Sequence, residues 1–186
     1  MGVDEDVVAD LGLHVGQQLA EEELQKIVHA ELVSKAKQKA LNLLGYRSRS
    51  RAEIAKRLSR AGYAEEVVEE VLSRLEDLGL IDDARFSASW VNSRVAGKGL
   101  GKARIRWELR QKGVADEVAE EALSAVDADA EYRLAADAAR RRWGKDKDTD
   151  ERAKRRRVAS FLRRRGFEWQ VIREVLSSLD TEADPT

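Results

Sequence analysis

The sequence predicts an all-α fold: three tandem three-helix repeats forming an elongated curved array, with a short N-terminal lead. Three observations carry that expectation. Gly62, Gly113 and Gly166 recur at intervals of roughly fifty residues, each inside the same apolar pattern, which is the mark of a helical repeat. Apolar positions after each glycine keep a helical spacing: Val67, Val71, Leu72 and Leu75, then Val118, Ala122, Leu123 and Val126, then Val171, Val175, Leu176 and Leu179. The single proline, Pro185, stands at the C-terminal end, so the interior holds no proline helix breaker.

Each glycine is read as a helix stop. Four residues before it stands Leu58, Leu109 or Leu162, and one residue after it Tyr63, Val114 or Phe167. A left-handed glycine brings those two positions together in a Schellman motif, and a side chain at the glycine would strain the backbone. The helix before each stop starts near Arg51, Lys102 or Arg152, and Ser50 with Glu53 has capping-box spacing at the first of these starts. A further helix precedes each one, at about 36–44, 84–94 and 131–143, with Asp82 or Asp83 expected to cap the middle one. The chain is thus divided into an acidic, partly disordered lead (1–35), repeats at 36–80, 81–129 and 130–180, and a tail at 181–186. In the lead, the first ten residues are expected to lack order, Leu11, Leu13 and Val15 alternate like a weak strand, and Leu24, Ile27 and Val28 indicate a short helix. The segments VAGKGLGK and GKDKDTDER read as linkers.

Composition narrows the function. Aromatic residues make up 5% and charged residues 37%, a balance that suits several small cores better than one large one. Cysteine is absent, which removes disulfides and thiolate chemistry and fits a reducing cytoplasm. No apolar run is long enough to span a membrane, and the acidic start MGVDEDVVAD lacks the pattern of a signal peptide. His14 and His29 stand apart from any ligand cluster, so no metal is expected. GKGLGKA at 97–103 lacks the full spacing of a phosphate loop. With no nucleophile–base pair and no cofactor signature, the expectation is a binding protein and not an enzyme.

The net charge of −1 conceals a sorted distribution. The stretch leading to each glycine, its helix included, is basic: Arg47, Arg49, Arg51 and Arg57; then Lys98, Lys102, Arg104, Arg106 and Arg110; then Lys154, Arg155, Arg156, Arg157, Arg163, Arg164 and Arg165. Acids follow the first two stops, at Glu65, Glu66, Glu69 and Glu70 and at Asp116, Glu117, Glu120 and Glu121. The basic helices are the candidate partner-binding and DNA-binding surface, with phosphate contacts that are salt-sensitive and indifferent to sequence. Trp107 is the candidate hot spot, because it points about 200° away from both Ile105 and Leu109. Trp90 and Trp169 fall in apolar register and are expected in the core.

The stretch LIDDARFSASWVNSRVAGKGLGKARIRWELRQKGV, residues 80–114, resembles the RecX regulatory protein family. Ile81, Asp82, Asp83, Phe86, Arg94, the glycines before the basic helix, Glu108, Leu109, Lys112 and Gly113 carry the resemblance. RSRSRAEIAKRLSRAGY at 47–63 is similar to that family's first repeat, and the likeness extends over about residues 11–180, loosest in the third repeat. It implies a monomeric negative modulator of the RecA recombinase. Such a protein lodges in the groove of the RecA–DNA filament and restrains ATP hydrolysis, filament growth and strand exchange in recombination and the SOS response. For the basic helices the further expected partners are single-stranded and double-stranded DNA, without sequence preference. The competing readings are a protein that occludes single-stranded DNA and a helical scaffold for another protein.

Overall fold

The computed structural model describes residues 5–10, 12–14, 16–145 and 150–183. Among the described residues there are ten helices and no strand. In chain order they are α1 (Glu5–Asp10), α2 (Glu21–Tyr46), α3 (Arg51–Ser59), α4 (Glu65–Asp77), α5 (Asp83–Lys98), α6 (Lys102–Gln111), α7 (Asp116–Ser124), α8 (Ala128–Gly144), α9 (Glu151–Arg164) and α10 (Trp169–Ala183). Three apolar cores follow one another. Val33, Ala36 and Ala40 of α2 meet Ile54 and Leu58 of α3 and Val67, Val71 and Leu72 of α4. Phe86 and Val91 of α5 meet Ile105 and Leu109 of α6 and Leu123 of α7. Ala135 and Ala139 of α8 meet Val158 and Leu162 of α9 and Ile172 and Val175 of α10. The chain packs as two compact units, residues 1–83 and 84–186.

All three glycine stops are present. Gly62, Gly113 and Gly166 have φ of 91°, 73° and 86°. The amide after each donates back to the expected leucine carbonyl: Tyr63 to Leu58 at 3.4 Å, Val114 to Leu109 at 3.2 Å and Phe167 to Leu162 at 3.2 Å. Each glycine amide closes the inner bond, to Ser59, Arg110 and Arg163. Leu58, Leu109 and Leu162 are fully buried. The residues that terminate the helices thus also form the cores.

Helix starts differ more from expectation. Ser50 accepts from the Glu53 amide as the capping box requires. Asp127 and Asp150 cap α8 and α9. Asp83, however, spends its carboxylate elsewhere: Oδ1 accepts from the Arg51 amide at 2.8 Å and so caps α3 from a distance. Burial pushes this carboxyl above the usual range, against the opposing pull of the Arg51 bond. Glu131 of α8, only 6% exposed, does the same for α6, accepting from the Lys102 amide at 3.1 Å. An acid from the second helix downstream, α5 for α3 and α8 for α6, thus closes the N-terminus of each of these basic helices.

The lead departs most from the sequence reading. Residues 5–10 form α1, closed by Gly12 (φ 61°) with the Leu13 amide on the Val8 carbonyl, and Val7 is buried. The short helix expected at 24–28 and the one at 36–44 are a single helix, α2, because no proline or glycine interrupts residues 21–44. The strand expected around Leu13 is loop at residues 13–14, while Leu11 and Val15 lie outside the described residues. The first linker is shorter than expected, since α5 continues through Gly97 to Lys98. Most of the KDKDTD insertion, residues 146–149, lies outside the described residues.

Within residues 84–186 that short linker is pinned to the end of α9. The Gly101 amide donates to the Arg165 carbonyl at 2.9 Å and the Ala103 amide to the Gly166 carbonyl at 3.1 Å. The Arg165 guanidinium returns a bond to the Lys98 carbonyl at 3.0 Å. The amides of a loop that superficially resembles a phosphate cradle are therefore occupied by protein carbonyls.

Candidate functional site

The basic helices divide by how their charge is compensated. On the first, Arg47 is paired with Glu53 at 3.0 Å, and Arg51 with Glu69 at 2.7 Å and Glu76 at 3.0 Å. Arg49 is turned inward onto the Leu43 carbonyl, and burial lowers its pKa. Only Arg57 of the expected set is exposed with no carboxylate partner among the described residues.

On α6 the compensation comes from α7. Arg106 is bonded to Glu120 and Arg110 to Asp116, and the bond in each pair raises the guanidinium pKa. The acidic helix thus lies against the basic one and neutralises much of it. Arg104 places its guanidinium 4.3 Å from the Trp107 ring centroid and reaches Glu108 at 3.5 Å. Trp107 itself is 49% exposed, as its register predicts. Lys102 is part-buried and Lys98 exposed.

Glu108 organises the middle core, which the sequence reading did not foresee. It accepts from Arg94 at 2.6 Å and from the Trp90 indole N–H at 3.1 Å. Burial works against its charge, but the bonds from Arg94, Trp90 and Arg104 prevail and hold its pKa below the usual range. Trp90 stacks on Phe86 with centroids 5.8 Å apart, and Arg94 and Lys112 stand 3.8 and 4.1 Å from its ring centroid. Trp90 therefore belongs to the packing, as expected. Trp169 does not: it is 58% exposed, because Ile172 takes the core position on α10.

On α9 the balance is different. Arg156, Arg163 and Arg164 are exposed and have no carboxylate partner among the described residues. Lys154 lies 5.0 Å from the Trp143 ring centroid, while Arg155 and Arg157 are part-buried. Arg165 is engaged by the Lys98 and Gly99 carbonyls and stands 4.9 Å from the Phe161 centroid. Two clefts adjoin this helix. One of about 290 Å³ is lined by Ala138, Arg141, Arg142, Lys145, Phe161 and Arg165. The other, about 440 Å³, is lined by Arg142, Ala153, Arg156, Arg157, Ser160 and Arg164. Among the described residues no acid lines either, so a polyanion entering them meets guanidinium groups, with the Lys145 ammonium in the first and the Ser160 hydroxyl in the second. Arg141 and Arg142 were missed from sequence because they belong to the preceding helix, although their place in its basic last turn was visible.

Comparison with known proteins agrees with this architecture. Residues 36–75 match "RecX, first three-helix domain", residues 82–123 the second and residues 129–176 the third. A regulatory protein RecX from Amycolatopsis mediterranei (strain U-32) is 38% identical over 157 residues, covering 82% of this chain and 90% of that protein. One from Prosthecochloris aestuarii (strain DSM 271 / SK 413) is 40% identical over 147 residues, covering 79% and 95%. A crystal structure of a regulatory protein RecX superimposes with TM-score 0.85 at 29% identity, covering 93% of this chain and 87% of that one. RecX from Lactobacillus salivarius gives TM-score 0.77 at 27% identity, covering 82% and 99%.

Proposed function

This chain belongs to the RecX family, and we propose that it regulates the RecA recombinase by binding the RecA–DNA filament. Its domains in series contact more than one protomer in the filament groove. That bridging restrains ATP hydrolysis, filament growth and strand exchange, in recombination and the SOS response, without chemistry of its own. Several weak contacts on one chain gain from high effective concentration, so no single pocket has to be deep.

The observation that carries the reading is the uncompensated charge of α9. Among the described residues no acid offsets Arg156, Arg163 and Arg164, whereas Arg47, Arg51, Arg106 and Arg110 have their charge offset by internal acids. The α9 face therefore meets phosphates or acidic RecA loops, and Trp107 with Arg104 supplies a further flat amphipathic contact on α6. The DNA contacted is single-stranded or double-stranded, without sequence preference.

Pelleting of preformed RecA filaments with the purified chain tests the proposal. Co-sedimentation that survives excess free single-stranded DNA supports direct filament binding. Release by that competitor supports simple occlusion of DNA, and no co-sedimentation under any condition leaves a scaffold for a different protein.

A further inference from the structure

Apolar residues occur on both sides of α2. Ile27, Val33, Ala36 and Ala40 are buried in the fold, whereas Leu24, Val28 and Leu32 are 46%, 41% and 41% exposed. The exposed three are spaced at four residues and form one stripe on the N-terminal half of the helix. Isolated surface leucines are ordinary, but a stripe in helical register on an otherwise charged segment has the form of a helix–helix seam.

The order of residues around Val28 identifies the occupant. Leu24 and Leu32 stand four residues to either side, and Glu21 and Lys35 seven to either side. On a helix all five fall within about 40° of the Val28 direction. Turned end for end, the segment presents the same face to itself: Val28 on Val28, Leu24 on Leu32, Glu21 on Lys35. Gln25 and Glu31 flank the stripe in the same symmetric way. Such self-complementarity is what a two-fold interface requires, and a different partner would have no need of it.

We propose that two copies of this chain associate through an antiparallel pairing of their α2 helices, with Val28 on the two-fold axis. Each Lys35, which already reaches Glu31 of its own helix at 3.0 Å, then lies between that acid and Glu21 of the second copy. The seam spans residues 21–35, about 21 Å of helix. A contact that short is below the size of a standard stable interface, so the dimer is a weak one, with a dissociation constant of about 100 µM, and well below that concentration the chain is the monomer that the sequence reading expects. The surface lies on α2 alone, and the proposal does not depend on RecA.

Sedimentation equilibrium of the full chain tests it. The weight-average mass is expected to rise above 20.9 kDa as concentration passes about 100 µM. Val28→Glu, an exposed position that does not enter the core, sets two carboxylates against each other on the axis and keeps the mass monomeric. Glu21→Lys or Lys35→Glu alone weakens association about fivefold, since each pair occurs twice across the axis. The double variant Glu21→Lys/Lys35→Glu restores it. Circular dichroism confirms that each variant keeps its helices. A mass that stays at 20.9 kDa throughout, a Val28→Glu protein that associates like the wild type, or a double variant that is not restored each overturns the proposal.

Discussion

Gly166 abuts the backbone of Arg104 so closely that a Cβ there would overlap the Arg104 nitrogen and Cα. The same residue ends α9 in the left-handed conformation and accepts the Ala103 amide. Three constraints therefore converge on one missing side chain. Gly62 has a nearly identical φ, but an added Cβ would meet nothing within 4 Å. The comparison separates conformational strain from close approach. Gly62→Ala is expected to cost about 1–2 kcal/mol, the left-handed penalty alone. Gly166→Ala is expected to cost more than about 3 kcal/mol, since the backbone of α6 has to move as well. Urea unfolding of the two variants measures the difference, and equal losses would contradict the close packing.

Glu108 makes the middle domain acid-sensitive. Its pKa is depressed in the folded state, whereas an unfolded glutamate titrates near about 4.3. The folded state then binds fewer protons than the unfolded state across that interval. The contribution is fully present above the unfolded value and is lost as pH falls through the folded one. Glu108→Gln is thus expected to be less stable than the wild type at pH 7, with the gap closing below about pH 4. Thermal unfolding across that range reads the gap directly; a constant gap would show that the charge of Glu108 is not what Arg94 and Trp90 hold in place.

Trp107 and Trp90 predict opposite phenotypes. Trp107 is half exposed and meets the Arg104 guanidinium, so Trp107→Ala is expected to change stability by less than about 1 kcal/mol. Filament affinity is expected to fall about tenfold or more if Trp107 is a binding anchor. Trp90→Ala removes a stacked ring and leaves Glu108 short of a donor, and is expected to cost about 3–5 kcal/mol. Unfolding curves beside filament-binding titrations distinguish the two.

The free charge of α9 fixes a salt dependence. Replacing Arg156, Arg163 and Arg164 by glutamine is expected to reduce the slope of log affinity against log salt by about 2 on single-stranded DNA, at about 0.7 per phosphate contact. The matching change at Arg106 and Arg110, whose charge Glu120 and Asp116 already offset, is expected to reduce it by less than 1 (about half a contact each). Fluorescence titrations at several salt concentrations give both slopes. Equal reductions would mean that internal pairing does not decide which arginines bind.

What could be read in the sequence was local. Leu58, Gly62 and Tyr63 act on one another within one helix end, so their spacing alone announced the stop and the core. The same holds for Ser50 with Glu53. What escaped depended on distant partners. Arg106 and Glu120 lie on separate helices, and counting charges revealed a basic and an acidic helix without revealing that they face each other. Spacing leaves Asp82 and Asp83 as equal candidates to cap α5; Asp82 stands just before that helix, while tertiary packing aims Asp83 at Arg51. The acidic composition of the lead concealed α1, where buried Val7 overrides the local signal, and hid that the short helix read from Leu24, Ile27 and Val28 runs on into the one at 36–44.

The DNA-dependent ATPase of RecA is the most direct measurement of the central claim, that a RecX chain acts on the filament through the uncompensated arginines of α9. The wild-type chain is expected to lower the hydrolysis rate in proportion to its occupancy of the filament, and the Arg156/Arg163/Arg164 glutamine variant, with its helicity intact, is expected to leave the rate near that of RecA alone. Hydrolysis unaffected by the wild-type chain at saturating concentration, or lowered equally by the variant, would contradict it.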